Sequence, residues 1–279
     1  MGVADGENSS EVGGNSMTKK SLVALGLVLA ALITQWSAAE EQEPPDFTGV
    51  WTMYLAPGES PFAAFGRGAP ALPLTREGQQ RRDEYQKLLG PEVANPAAYC
   101  VDYGMPSMME QAGAYPIEFI QKPDQLTIIY EVEGEMRRVY MGERHVPREK
   151  RLPTRQGYSE GRWDGDVLVV ETTDLTDGVD QMQHPHSDQA RIVERFSLGA
   201  DDKGTKIISY EMSMTDPVYY REPVTAQRKW APLNGFIIPY RCPDEFWLAL
   251  LDMRREQLKA GKPVTVRMSD VYKAREAKE

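Results

Sequence analysis

Hydrophobic and polar residues alternate along several segments between residues 115 and 230, as they do in strands that bury one face. In the segment 189–198, Ala190, Ile192, Val193 and Phe196 are apolar, and charged residues are interleaved with them. The patterns predict strands over 47–55, 115–121, 126–132, 135–141, 158–163, 166–173, 189–198, 205–214 and 224–230.

Short turns separate many of these predicted strands. Asp164-Gly165 is a strong hairpin signal, because tight hairpin turns need backbone angles that such residues adopt readily. Pro123-Asp124 and Gly134 are further turn signals. Closely spaced strands with tight turns predict an all-β fold, an antiparallel meander that closes into a lipocalin-like barrel, with a sandwich as the alternative.

Two helices are predicted outside the meander. Thr75 is a suitable N-cap for a helix over 76–89, which precedes most of the strands. A second helix is predicted over 243–259, near the C-terminus. Since helices do not alternate with the strands, a parallel α/β sheet is disfavoured.

The N-terminal region has the layout of a secretory signal peptide. Lys19 and Lys20 precede an apolar run at 21–33, and the small residues 37–39 follow it. The run is shorter than the ~20 residues that span a bilayer, although a membrane anchor or a buried helix remains an alternative. We therefore predict a periplasmic or secreted protein with a leader at 1–39, a barrel domain at 40–242, and a C-terminal helix and tail at 243–279.

The net charge restricts the kinds of partner that are expected, and the cysteine content bears on a disulfide. The net charge of −10 argues against nucleic acid and anionic membranes as partners, and the predicted mature chain has no apolar run long enough to span a membrane. The chain has two cysteines, Cys100 and Cys242, both in the predicted exported part. Export favours a disulfide between them, and two free thiols are the alternative.

Residues with catalytic potential concentrate in the loop 181–188. His184 and His186 are two residues apart, so their side chains point the same way in an extended segment. In an acid–base hypothesis, one imidazole moves a proton, Asp188 orients it, and Arg191 stabilises the developing charge. His145, in another loop, is the third candidate, and the reaction would be that of an isomerase, lyase, cyclase or hydrolase.

The same residues have other interpretations. Three histidines and Asp188 are possible ligands for zinc or copper, but a solvated loop is the simpler reading, and we predict no metal site. Arg191, Glu194 and Arg195 are equally consistent with outward-facing ion pairs between strands. No nucleotide, phosphate or other cofactor motif is present in the sequence.

Aromatic residues suggest a binding function. The chain has 13 Tyr, 5 Trp and 13 Met, which suit an apolar or aromatic ligand inside a barrel, although most of them are expected in ordinary core packing. Trp51 and Trp163 are expected in the core at one end of the barrel. The leading hypothesis is capture of a small apolar or aromatic molecule, with the candidate ligand-binding residues Tyr130, Tyr140, Tyr158, Arg144 and Tyr210.

Two family resemblances support export and the β architecture. The unit Gly49-x-Trp51 on a first strand resembles the lipocalin-like barrels. A broader resemblance, to a large group of secreted bacterial proteins with no assigned activity, covers most of 46–242 and includes cysteines near Cys100 and Cys242. It implies no catalytic residues. The segments that carry it are 46–51, 115–116, 119–121, 138–141, 161–166 and the His-Pro-His-Ser-Asp run at 184–188.

Overall fold

The structure, a computed structural model, describes residues 43–55, 58, 71–89, 101–239 and 244–276. The described residues from 44 onwards form one compact unit. The predicted signal peptide at 1–39 and both cysteines, Cys100 and Cys242, lie outside the described residues, so export and the disulfide stay predictions.

Nine strands form a closed barrel in the order β1-β11-β10-β9-β6-β5-β4-β3-β2, which confirms the all-β barrel prediction. Each of these strands overlaps a strand that the alternation predicts. A separate two-stranded ladder, β7 with β8, lies in the connection between β6 and β9. The strands are β1 Gly49–Met53, β2 Ile117–Lys122, β3 Gln125–Tyr130, β4 Met136–Met141, β5 Tyr158–Asp164, β6 Val167–Thr173, β7 Gly178–Val179, β8 Pro185–His186, β9 Arg191–Ala200, β10 Lys206–Thr215 and β11 Val224–Pro232.

The described helices are α1 Arg76–Leu89, α2 Ser107–Glu110, α3 Asp244–Lys259 and α4 Met268–Glu276, which confirms a short helix before most of the strands and a C-terminal helix. Thr75 is the N-cap of α1, since the Gly78 N–H donates to its Oγ1 at 3.0 Å. Within the described residues, no helix has the length and apolar character needed to cross a membrane.

One pair of strands departs from the predicted antiparallel meander. β4 and β5 are parallel, and they pair only from Val139 opposite Ser159 to Met141 opposite Gly161. Parallel neighbours need a long crossover, which the segment 142–157 provides. Gly161 permits the close approach, because a Cβ there would lie 2.5 Å from Met141 Sδ.

The two ends of the barrel differ in their connections. Tight hairpins join β2 to β3, β5 to β6 and β9 to β10 at one end. At the other end, the chain leaves β1 and enters β2, the connections 174–190 and 216–223 join their strands, a short turn joins β3 to β4, and the crossover 142–157 returns. We call this second end the loop end. Loops held at their bases by a sheet commonly carry function.

Aromatic side chains fill much of the barrel core. Phe196 lies 5.0 Å from Tyr210 between ring centroids, and Tyr210 lies 5.5 Å from Trp230. Trp51 is buried and donates from Nε1 to the Phe47 carbonyl at 2.8 Å, which confirms it as a core residue. Trp163 is half-buried and stacks on Phe47 at the edge of the core.

Candidate functional site

A buried ion pair crosses the barrel interior between β4 and β9. The Arg137 guanidinium donates to both carboxylate oxygens of Glu194 at 2.8 and 2.5 Å, and the two side chains are 1% and 0% exposed. Ser159 and Thr172 accept further hydrogen bonds from Arg137, and the Tyr210 hydroxyl donates to Glu194 at 3.0 Å. The outward orientation considered for Glu194 is therefore wrong. Its position in phase with the buried Ile192 and Phe196 is the sequence signal that places it inside.

The second polar group is a turn in the histidine loop at the loop end. Asp180 accepts a hydrogen bond from the His184 backbone N–H at 2.8 Å, and its other oxygen lies 3.1 Å from His184 Nδ1. The Asp180 N–H donates to the His184 carbonyl, which closes the turn between β7 and β8. Both side chains are buried. The orienting role expected of Asp188 therefore falls to Asp180.

Each partner of this pair stabilises the charged form of the other. Burial alone would lower the pKa of His184, but the charge and hydrogen bond of Asp180, helped by Glu110, raise it to about 9. Burial would raise the pKa of Asp180, but the charge and hydrogen bonds of His184 lower it. At neutral pH the pair is an imidazolium and a carboxylate.

Glu110 reaches the pair from α2. Its side chain is 7% exposed, and its Oε1 has no hydrogen-bond partner among the described residues. Burial raises the pKa of this carboxyl group, although the charge of His184 opposes the shift. Arg228 of β11 fixes the end of α2 by donating to the Glu110 carbonyl at 2.9 Å. A four-residue helix has no periodicity to detect, so the sequence pattern misses Glu110.

Nine buried side-chain polar atoms of the described residues lack a hydrogen-bond partner, and two more of them belong to this group. They are His186 Nδ1 and the Tyr220 hydroxyl. Burial lowers the pKa of His186 and raises that of Tyr220. Asp180 contributes to the pKa of Glu110, His184, His186 and Tyr220 alike. We call these five residues the Asp180 cluster.

Asp216 ties the histidine loop to the connection between β10 and β11. It accepts hydrogen bonds from the Ser187 N–H at 2.6 Å and from the Ser187 hydroxyl at 2.9 Å. The same carboxylate accepts the N–H groups of Val218 and Tyr219. Helix α1 packs closely on this connection, since a Cβ on Gly78 would lie 2.3 Å from the Tyr219 carbonyl oxygen. The His-Pro-His-Ser-Asp run is thus held by a fixed framework.

Four predicted site residues lie on the surface instead: Arg144, His145, Asp188 and Arg191. Arg191 donates twice to Glu171 at 2.6 Å, which confirms the interpretation as an exposed ion pair. Arg144 forms a similar exposed pair with Asp124 at 2.8 Å. Because Arg191 is exposed and paired with Glu171, whereas the two histidines of the loop are buried, the structure does not support Arg191 as the group that stabilises charge.

The four predicted ligand-binding tyrosines divide into two pairs. Tyr130 and Tyr210 are buried in the core, and the Tyr130 hydroxyl lies 2.7 Å from Met109 Sδ. Tyr140 and Tyr158 lie on the outer side of the barrel wall and stack with ring centroids 4.9 Å apart. The structure therefore does not bring the four together.

The histidines do not assemble a metal site in the part of the chain that the structure describes. No group of three or more His, Cys, Asp or Glu side chains there has the arrangement to hold a metal ion. His145 is exposed on the crossover 142–157, whereas His184 and His186 are buried at the loop end. The three-histidine hypothesis is therefore not supported.

Fold and site together define the chain as a closed nine-stranded β-barrel protein with buried titratable groups at its loop end. Comparisons with protein-family models, curated proteins and solved structures found no match to it.

Proposed function

We propose that this protein is exported and binds a small aromatic molecule with one polar group at the loop end of the barrel. The proposal rests on three of the nine buried polar atoms that lack a hydrogen-bond partner among the described residues, because these three share the Asp180 cluster: Glu110 Oε1, His186 Nδ1 and the Tyr220 hydroxyl. Buried polar atoms nearly always have a partner, and leaving one without costs roughly 1–3 kcal/mol. Three such atoms in one electrostatic cluster are what a site for a polar ligand requires.

The surroundings of the Asp180 cluster suit an aromatic ring. Met105, Met108 and Met109 are fully buried beside it, and Tyr103 is buried in the same segment. Methionine sulfurs make favourable contacts with aromatic rings. Aromatic side chains and the Arg137–Glu194 pair occupy the described interior of the barrel. The proposed ligand therefore sits at the loop end rather than deep in the barrel.

The protonation states indicate the polar group of the ligand. His184 and Asp180 neutralise each other, and burial favours the uncharged forms of Glu110 and His186. In its protonated form, which burial favours, Glu110 is a hydrogen-bond donor, as is the Tyr220 hydroxyl, and a neutral histidine offers one acceptor nitrogen. An uncharged oxygen that both accepts and donates, as in a phenol, matches this set.

The experiment compares phenols with toluene, which has the same ring and no polar group, by isothermal titration calorimetry. We expect phenols to bind, and Tyr220→Phe and His186→Gln each to weaken binding about 5- to 30-fold, the equivalent of one hydrogen bond. His145→Gln is the matched control, because this histidine is exposed, and its affinity should equal that of the parent. Equal affinity in all variants, or equal binding of toluene, would rule out the proposed site.

A second candidate function, acid–base catalysis on the same ligand, is favoured by the opposite pKa shifts within the cluster. The pKa values of His184 and Glu110 are raised, and those of His186 and Asp180 are lowered. Groups whose pKa values are pushed apart at one site are suited to separate acid and base roles. In this scheme His186 accepts a proton and Glu110 donates one, while Asp180 holds His184.

Separate replacement of His184 and His186 by Gln distinguishes the two functions. Glutamine keeps polarity and removes titration. A large loss of turnover with retained ligand affinity supports catalysis, and an equal loss of affinity alone supports binding. Parent-like behaviour of both variants with every ligand or substrate found contradicts both candidates.

A further inference from the structure

A cleft of about 180 Å³ opens in the barrel wall between β4 and β5. Its lining includes Arg137, Arg138, Tyr140, Gln156, Tyr158 and Ser159. None of its lining residues belongs to the Asp180 cluster, so the cleft is a separate candidate site.

The parallel pairing creates the cleft. β4 and β5 pair only through Val139–Met141 and Ser159–Gly161, so the first half of β4 has no partner strand on this side. Gly157 draws the other wall towards β6. It has φ +69°, and a Cβ there would lie 2.6 Å from the Thr173 carbonyl oxygen. Only glycine suits that position, so the gap is built into the fold.

The cleft has positive and polar walls. Arg138 is exposed at its rim and has neither an ion-pair partner nor a hydrogen bond among the described residues. Arg137 lies beneath it, already bound to Glu194. Gln156 and Ser159 add polar groups, and no acidic residue lines the cleft. A cation without a partner and without neighbouring acids favours an anionic ligand.

The remaining wall is flat and aromatic. Tyr140 and Tyr158 stack at 4.9 Å with their planes 15° apart, and the Arg151 guanidinium lies 3.9 Å from the Tyr158 ring centroid. Arg151 is committed to Glu160 through two hydrogen bonds, at 3.0 and 2.9 Å, which leaves Arg138 as the cation for a ligand. A guanidinium fork matches a planar carboxylate in two-point contact.

We infer that this cleft binds a small planar aromatic carboxylate. Arg138 binds the carboxylate group, and the aromatic ring of the ligand packs against Tyr140. Benzoate is the probe, benzamide its uncharged counterpart, and inorganic phosphate a non-planar anion. We expect saturable benzoate binding by titration calorimetry, with benzamide and phosphate about tenfold weaker, because benzamide lacks the charge that Arg138 binds and phosphate lacks the ring that packs on Tyr140. Affinity should fall as salt concentration rises, because the rim is exposed.

Two variants locate the binding. Arg138→Gln should weaken benzoate binding at least about tenfold. Arg148→Gln removes the same charge from an exposed arginine outside the cleft lining, and should leave the affinity within about twofold of the parent. Unfolding curves of both variants should match the parent, since neither side chain is buried.

Other outcomes overturn the inference. The inference is wrong if benzoate does not bind at about 10 mM, a concentration at which even weak sites fill, or if benzamide or phosphate binds as tightly as benzoate. If Tyr220→Phe abolishes benzoate binding and Arg138→Gln does not, benzoate occupies the Asp180 cluster instead. That result would overturn the cleft site and leave the proposed loop-end site standing. Conversely, failure of phenols to bind leaves the cleft site intact.

Discussion

The Asp180–His184 pair makes the stability of the protein depend on pH. The folded pKa of His184, about 9, exceeds the ordinary value of about 6.5. Its contribution is therefore fully present below pH ~6.5 and is lost as the pH rises through 9, with a slope of up to about 1.4 kcal/mol per pH unit. We expect the free energy of unfolding to fall over this window more steeply in the parent than in His184→Gln.

Urea unfolding at pH 6, 7.5 and 9.5 measures this difference. His145→Gln serves as the control, because this exposed histidine should leave the slope unchanged. Parallel pH profiles for the parent and His184→Gln would contradict the ion pair.

Glu135 contributes a second pH dependence. Burial, only partly offset by the hydrogen bond from the Tyr103 N–H, raises the pKa of Glu135 to about 8. The unfolded chain releases this proton near the ordinary value of 4.5, so stability is lost as the pH rises from about 4.5 to 8. Glutamine keeps the acceptor for Tyr103 and removes the titration. The melting temperature of Glu135→Gln minus that of the parent should therefore be more positive at pH 8 than at pH 5. An equal change at both pH values would contradict this assignment.

At the scale of the elements, the Arg137–Glu194 pair links β4 to β9 across the interior. Removing one partner leaves a buried charge without compensation, so Glu194→Gln should cost about 3–5 kcal/mol of unfolding free energy. The double variant Arg137→Met, Glu194→Leu removes both charges and should be much less destabilised, because desolvation of the ions is removed together with their attraction. Chemical denaturation of the single and double variants tests this coupling. Additive losses would contradict it.

The close contact of β4 with β5 depends on Gly161. A Cβ at this position would lie 2.5 Å from Met141 Sδ and 2.8 Å from Val139 Cγ1. Gly161→Ala should therefore destabilise the barrel by about 1–3 kcal/mol, as overpacking does. Gly199→Ala is the matched control, since no atom lies within 4 Å of its Cβ position. Equal unfolding midpoints for the two variants would show that β4 moves freely to accommodate the methyl group.

At the scale of the whole molecule, the candidate functional groups of the Asp180 cluster lie together at one end of the barrel. Three tight hairpins occupy one end, and the connections 174–190 and 216–223 lie at the loop end with the turn between β3 and β4. Glu110, Asp180 and Tyr220 come from three different connections, yet Asp180 affects the pKa of Glu110, and both carboxylates affect that of Tyr220. Closure of the barrel brings these connections together, because it fixes where every strand begins and ends.

The sequence alone determined the strands, because side chains alternate in direction along an extended chain and the buried face must be apolar. The same local rules found α1, capped by Thr75, and marked the histidine loop as unusual. Only the tertiary structure decided which polar groups meet. The parallel pairing of β4 with β5 and the pairing of Glu194 with Arg137 depend on contacts between distant segments. Asp180 and Asp188 are both four residues from His184, and the folded turn between β7 and β8 decides that Asp180 is its partner. Local patterns carry no record of such contacts, since burial and hydrogen bonding between segments are fixed only when the barrel closes.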